Sequence, residues 1–330
     1  MEHGRPDHQI AFTGRLQKTR RHAQKEAERQ QKLAIKEQIA SDAEDAVSEW
    51  EDYLHDLVTL HCNLTRKINW IEIASRPAPP EPKKVTFRQE AAQQALTDFH
   101  PHLFDFLRGG SARRKKNLEE TLDQALQADN NDFSDSKAEY AEELQTWTSN
   151  RELALAILAG EPDAIKDVIH EYQSLTEIDL IGTEVEFIVE PGFLHAKPYV
   201  HGNDIVPKIR RKLLSSGRLS ETAMPTSQQL ELYQDYVASV ALKVAGDLFQ
   251  LTPLDQIYVT CMSAMLNSST GYIEPTPVLS VQFVRKTMDT INLKKIDPSD
   301  ALSNFNHVMD FKKTKGFSPI SPLASEHESS

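Results

Sequence analysis

Apolar residues recur at alternating spacings of three and four between residues 40 and 71, and this regularity constrains the fold more than any other feature. The spacing places them on one side of an α-helix, and more than four heptads of it favour a coiled coil or a long helical hairpin. Trp50 is large for a two-stranded seam, so we expect this side to pack within the chain, with self-association as the alternative. We interpret His61 as a core histidine. The stripe consists of Ala40, Ala43, Val47, Trp50, Leu54, Leu57, His61, Leu64, Ile68 and Ile71.

This helix is predicted to cover residues 15–75. Residues 16–46 are rich in Ala, Gln, Glu, Lys and Arg and contain neither Pro nor Gly, which favours a helix. Its end is set by the four prolines that follow Arg76, because such a segment cannot be helical. We therefore predict an extended connector over 76–86 and a disordered segment over 1–14.

Helical spacing resumes after the connector, and residues 87–173 are predicted to form a helical region. Within it, residues 112–149 are predicted to be a helical hairpin whose turn is Asn130-Asn-Asp132. A further helix is expected to end at Gly160, and another begins at Pro162.

The pattern changes near residue 176, and residues 174–317 are predicted to form an α+β domain. Its sheet is expected to have four to five mostly antiparallel strands, and residues 318–330 are expected to be a disordered tail. The predicted strands are 184–190, 193–200, 256–266 and 278–284. The predicted helices include 207–214, 227–251 and 298–311, and the last is opened by Asp297 as N-cap and Pro298 as its first residue. The fold class is therefore α+β, with long N-terminal helices before a mixed α/β domain.

Charge and cysteine content limit the classes of function. The net charge of −12 argues against a protein that coats nucleic acid with its whole surface. Cys62 and Cys261 cannot form a disulfide framework, so we predict a reducing, cytoplasmic location. We see neither a secretory signal nor an apolar segment near the ~20 residues that span a bilayer, and we expect no membrane partner.

Strands 184–190 and 193–200 are predicted to form a β-hairpin across which Glu186 and Lys197 meet. The polar cluster on this strand pair supports one enzymatic hypothesis. A metal-dependent nuclease needs carboxylates to hold a divalent cation and a lysine to orient the nucleophile. Under that hypothesis the catalytic residues are Glu184, Glu186, His195 and Lys197. The alternative is a solvated strand face. We find no Gly-rich phosphate loop and no Gly-x-Ser-x-Gly motif, so we lean against an enzyme and predict no cofactor beyond that divalent metal.

Short basic segments are candidate nucleic-acid contacts, with solvated helix faces or loops as the alternative. The first consists of Arg113, Arg114, Lys115 and Lys116, and the second contains Lys208, Arg210, Arg211 and Lys212. A third lies at 312–315. The start of the long helix is also basic, through Arg15, Lys18, Arg20, Arg21, Lys25, Arg29, Lys32 and Lys36.

A set of motifs lies between residues 50 and 317. They are Asn69-Trp70 and the Pro-rich segment after it, Tyr233-Gln-Asp-Tyr236, Asp297-Pro-Ser-Asp-Ala-Leu302, Asn304-Phe-Asn-His307 and Lys313-Thr-Lys-Gly-Phe317. Together they resemble a group of uncharacterised bacterial proteins of unknown function. The resemblance implies a bacterial or phage-related origin and no mechanism.

The hypothesis that these observations favour is a non-enzymatic interaction or assembly protein. Its helices would associate with a protein partner or a second copy, and its α+β domain would provide the recognition surface. The first alternative is a metal-dependent nuclease or nucleic-acid-processing factor. The second is a nucleic-acid-binding protein that uses the local basic segments.

Overall fold

The chain forms two compact units. The computed structural model describes residues 7–101, 110–172 and 179–323, and the side chains of the first helix from residue 24 onward. One unit combines the chain up to Lys67 with the chain from Lys166 onward, and we call it the α+β unit. The other, the helical unit, is Ile68–Ile165. This division differs from the predicted order, because the N-terminal helix belongs to the same unit as the sheets.

The main sheet of the α+β unit has six strands. They are β1 (Glu184–Glu190), β2 (Phe193–Val200), β5 (Gln256–Leu266), β6 (Ile273–Val284), β7 (Asn306–Lys312) and β8 (Gly316–Ser318). Their spatial order is β1-β2-β5-β6-β7-β8. The pair β2–β5 is parallel and the other neighbours are antiparallel, so the sheet is mixed and larger than the predicted four to five strands.

The helix predicted over 298–311 is wrong beyond its first turn. The Asp297 carboxylate accepts a hydrogen bond from the Asp300 amide and starts α8 (Pro298–Ala301), as the Asp-Pro pair predicts. The chain then enters β7, where Val308 pairs with Ser280 and Met309 with Leu279 of β6. Pairing with a strand that precedes it by some 30 residues therefore overrides the local preference for helix.

A second sheet consists of β3 (Ile209–Leu213) and β4 (Leu219–Ala223) alone. We call these strands and the turn between them the ribbon. The ribbon replaces the short helix predicted over 207–214. Its turn contains Gly217 at a φ of +72°, a left-handed conformation that favours glycine. The strand depends on its antiparallel partner across this turn, which the basic segment by itself does not reveal.

The core of the unit lies between the main sheet and α6 (Thr226–Leu251), which matches the predicted helix 227–251. One face of the sheet supplies fully buried apolar side chains to it, including Val259 and Val281. Nearly all of α6 from Tyr236 onward is buried, although the sequence indicated a single apolar side. The other side of α6 is covered by the segment that follows the N-terminal helix.

The N-terminal helix, α1 (Asp7–Val58), is continuous over 52 residues. It includes residues 7–14, which we expected to be disordered, and it ends well before residue 75. Its last third packs within the α+β unit, where Ala43 and Leu57 are buried and the helix contacts the ribbon and α6. The apolar stripe therefore packs within the chain at this point, whereas residues 24–39 are exposed.

Residues 59–67, which we call the strap, run along α6 and explain why α1 stops. His61 Nδ1 lies 2.8 Å from Ser239 Oγ, and the Thr65 amide donates to Asp247 Oδ1 at 2.7 Å. Leu64 packs directly against Gly246. A Cβ added to Gly246 would lie 2.5 Å from the Cδ2 atom of Leu64. The chain leaves the α-helix to make these contacts, and Leu60–Cys62 forms a single 3-10 turn. His61 is buried, as predicted for a core histidine.

The helical unit is organised around α4 (Gly110–Ala159), a single helix of 50 residues. The predicted hairpin with a turn at residues 130–132 is therefore wrong. Asp129 accepts a hydrogen bond from the Gln89 amide at 2.9 Å, and Arg88 lies 2.6 Å from Asp132, so both carboxylates bind the start of α3 (Phe87–Thr97). These contacts stabilise the polar stretch as a helix.

Short elements complete both units. Residues 76–86 form neither a helix nor a strand, and α2 (Trp70–Ser75) precedes them. Gly160 ends α4 at a φ of +75°, and the boundary between the units falls inside α5 (Pro162–Tyr172).

A short helix, α7 (Arg285–Met288), follows β6. After β8, the C-terminal segment continues to make defined contacts. The amides of Ile320 and Leu323 donate to Pro277 O and Ser280 Oγ, so the expected disordered tail does not begin at residue 318. Residues 1–6 and 324–330 of the expected disordered ends lie outside the described residues. Across the described parts of the chain, no helix is both long and apolar enough to cross a membrane.

Candidate nucleic-acid interface

The predicted catalytic cluster lies on the β1–β2 pair. Glu186 is directly opposite Lys197, and Glu184 is opposite Tyr199, so the expected hairpin register is present. The Tyr199 hydroxyl donates to Glu186 Oε1 at 2.8 Å, and this hydrogen bond, together with partial burial, raises the pKa of Tyr199 to about 12. Both glutamates are exposed. Glu186 is thus an exposed carboxylate on an edge strand, and it accepts a hydrogen bond from Tyr199 of the neighbouring strand.

His195 has different surroundings from the glutamates. It is fully buried, and its Nε2 atom lies 2.9 Å from Thr260 Oγ1, which in turn is 2.9 Å from Ser280 Oγ. This chain of hydroxyl groups satisfies polar atoms inside the unit. Within the described ranges, no group of three or more His, Cys, Asp or Glu side chains could hold a metal ion. The structure therefore brings Glu186 and Lys197 together but places His195 in a separate polar network.

The two predicted basic segments lie in different units. Arg113, Arg114, Lys115 and Lys116 are exposed on the first turns of α4, in the helical unit. Lys115 and Lys116 lie 3.9 and 3.7 Å from the glutamates one turn later, Glu119 and Glu120. Acidic neighbours thus offset part of this charge.

The ribbon presents the second basic segment differently, because side chains alternate between the two faces of a strand. On one face, Arg211 and Leu213 are half-buried beneath α1, which contacts both strands. Arg211 lies 3.0 Å from Glu221, directly opposite on β4. This inner face therefore carries a paired charge and packing contacts.

Two aromatic side chains of α1 fix the ribbon in place. Trp50 Nε1 donates to the Ile209 carbonyl at 3.0 Å, and the Tyr53 hydroxyl donates to the Ile205 carbonyl at 2.8 Å. Burial raises the pKa of Tyr53, so it stays a neutral donor. At the other end of the ribbon, a Cβ on Gly217 would lie 3.3 Å from the Ala40 side chain. The ribbon is thus held against about three turns of helix.

The outer face of the ribbon is basic. Arg210 and Lys212 alternate with the inner residues of β3 and are exposed. Lys208, one residue before β3, is exposed beside them. Arg218, one residue before β4, falls on the same face by this alternation and is exposed as well. We call these four cations the basic face. In the part of the chain that the structure describes, none of the four lies within ion-pair distance of a carboxylate.

Hydroxyl side chains complete this face. Thr222 is opposite Arg210, and Ser220 is opposite Lys212. Successive cations along β3 are about 7 Å apart, because a strand rises about 3.4 Å per residue. Cations with neighbouring hydroxyl donors are the groups that bind phosphate and sugar oxygens in nucleic-acid complexes.

The structure changes the predicted set of contacts in two places. It places Arg211 on the inner face, with Glu221, and it adds Arg218 to the outer face. Sequence reasoning missed Arg218 because it lies outside the segment of adjacent cations. The signal that could have found it is the Ser-Ser-Gly turn at residues 215–217, which sets the register of a hairpin.

No protein-family model, curated protein or solved structure matches this chain. The resemblance of residues 50–317 to uncharacterised bacterial proteins therefore stays a sequence-based prediction, and the function is argued from the geometry.

Proposed function

We propose that the protein is an interaction protein whose α+β unit binds nucleic acid through the basic face of the ribbon. The observation that carries this proposal is the segregation of charge on the ribbon. Arg210, Lys212 and Arg218 lie on one exposed face and Lys208 is exposed at its end, while the ribbon's Glu221 is paired with Arg211 on the other face. The face is thus a local cationic surface on a chain of net charge −12.

Two physical arguments favour nucleic acid as the ligand. The net negative charge repels a polyanion from most of the surface, so a local cationic face orients the ligand as well as attracting it. The major groove of B-DNA is also wide enough to admit a two-stranded ribbon. We expect the four cations and their neighbouring hydroxyl groups to contact mainly phosphates, and therefore binding with little sequence preference.

The experiment is a fluorescence-anisotropy titration of labelled duplex DNA with the full-length protein at several salt concentrations. The variant Arg210→Gln/Lys212→Gln removes two adjacent cations of the basic face. Each lost phosphate contact should reduce the slope of log K against log salt by about 0.9, so the slope should fall by about 2 and the affinity at least tenfold.

Lys294→Gln/Lys295→Gln is the matched control, since it removes the same charge from two exposed lysines outside the ribbon. Equal affinity of the two variants, or absence of binding by the wild-type protein, would overturn the proposal. The same samples with Mg²⁺ or Mn²⁺ test the nuclease alternative. Cleavage by the wild type that is lost in Glu186→Gln would replace binding with that activity.

A further inference from the structure

The part of α1 that lies N-terminal to the segment contacting the ribbon is exposed along its whole described length. The ribbon lies along α1 from Trp50, which bonds to Ile209, to Ala40, which meets Gly217. Before that point, residues 24–39 are all exposed, and we call them the arm. The arm is a direct helical continuation of the segment that holds the ribbon.

The cations of the arm lie on one side of the helix. Lys25, Arg29, Lys32 and Lys36 follow one another at steps of four, three and four residues, the spacing that keeps residues on one side. The same line continues at similar steps through Ala40 and Ala43, and Ala43 is buried where α1 packs on its own unit. The arm's cations therefore project on the side of α1 on which the ribbon lies.

The net charge of the arm is small, but its positive charges are segregated along one side of the helix. It also contains Glu26, Glu28 and Glu37, of which Glu26 and Glu37 lie off the line of cations and Glu28 borders it. Among the residues described by the structure, none of the arm's four cations forms an ion pair. The line is thus available to an anionic ligand.

The apolar residues of the arm argue against a membrane surface as that ligand. Leu33, Ile35 and Ile39 are about half exposed. Leu33 and Ile35 are two positions apart, which places them on nearly opposite sides of a helix. A helix that binds in the membrane interface needs one continuous apolar side, and the arm has none.

We propose that the arm and the basic face form one track for nucleic acid, in which the arm binds the part of a long ligand that extends past the ribbon's turn. This inference rests on the proposed function and names its substrate class as extended nucleic acid. The arm's cations span about 17 Å at 1.5 Å per residue. With the ribbon, the track is about 35–40 Å long, which corresponds to about 11 base pairs at 3.4 Å each.

The test compares ligand lengths, using hairpin-capped DNA duplexes of about 6 and about 16 base pairs, one shorter and one longer than the track. The arm variant replaces Lys25, Arg29, Lys32 and Lys36 with Gln in the full-length protein. Gln is as good a helix former as Lys, and circular dichroism checks that helix content is unchanged. We expect the affinity for the long duplex to fall at least tenfold and that for the short duplex to change less than twofold.

A control variant carries Gln at four exposed lysines outside the track, Lys83, Lys84, Lys294 and Lys295, and should bind both duplexes as the wild type does. An arm variant that binds the long duplex as well as this control overturns the track, and so does an equal loss on both lengths. Loss of binding to phosphatidylserine vesicles with unchanged duplex binding would identify a lipid ligand instead. Failure of the wild type to bind either duplex would instead refute the proposed function of the ribbon.

Discussion

Lysines occur in two opposite settings in the α+β unit, on the basic face and beneath the strap. Lys212 is exposed on the ribbon, and among the described residues no carboxylate lies within ion-pair distance of it. The side chain of Lys243 is only 3% exposed, its Nζ atom lies 2.8 Å from Asp247 Oδ2, and it donates to the Asn63 carbonyl. A buried charge must be paired to be tolerated, whereas an exposed one need not be. Lys243 therefore serves the fold, whereas the cations of the basic face are available to a ligand.

The largest expected effect comes from breaking the buried pair. Asp247→Ala removes the partner of Lys243 and the acceptor for the Thr65 amide, so an uncompensated charge remains beneath the strap. Such losses cost about 3–5 kcal/mol, and urea unfolding should show a decrease of this size in the free energy of unfolding. In the apolar double variant Lys243→Met/Asp247→Leu, the free energy of unfolding should decrease much less. A single variant as stable as the wild type would show that the pair is not needed.

A smaller effect is expected at Asp235, a half-buried carboxylate on α6. Burial, and then the nearby Asp297, Asp300 and Glu231, raise its pKa to about 6 although Ser299 opposes the shift. The unfolded value is about 4, so the folded state binds more protons between pH ~4 and ~6, and stability falls as the pH rises through that window.

Asp235→Asn should therefore be more stable than the wild type at neutral pH, with the difference shrinking towards pH ~4. Urea unfolding across this range measures it, and Asp310→Asn, at an exposed strand position, is the control. A constant difference at all pH values would contradict the assignment.

The smallest effect on stability is expected on the ribbon, where neighbouring arginines should separate the two roles. Arg211→Gln breaks the partly exposed pair with Glu221 and should lower the free energy of unfolding by less than about 1 kcal/mol, with DNA affinity nearly unchanged. Arg210→Gln should leave stability unchanged and weaken DNA binding several-fold. Unfolding and anisotropy measurements on both variants check this, and equal effects on binding would refute the assignment of faces.

Patterns that depend on one element could be predicted from the sequence. The spacing of apolar residues located α6, and alternation located β1 and β2 with the correct opposition of Glu186 and Lys197. Asp297 was identified as a cap because capping is local chemistry. In each case the information lies within a few residues of the element itself.

Features that depend on a distant partner could not be predicted in this way. The end of α1 is set by the contacts of the strap with α6, and the continuity of α4 depends on the binding of Asp129 and Asp132 by the start of α3. For the site, charge identified the basic segment, but only the register of β3 with β4 separates Arg210 from Arg211. Tertiary pairing decided each of these cases.

The strap also has a consequence for the order in which the protein is made. Its contacts with α6 join residues that are 178 to 182 positions apart in the chain. Closing a loop of that length costs about 4–5 kcal/mol of chain entropy before any contact can offset it. On the ribosome, α1 and the strap emerge long before α6 does. The N-terminal helix and the strap therefore lack their partner α6, which is encoded in the last third of the chain, until it has been synthesised. During this interval proteases or chaperones have access to them.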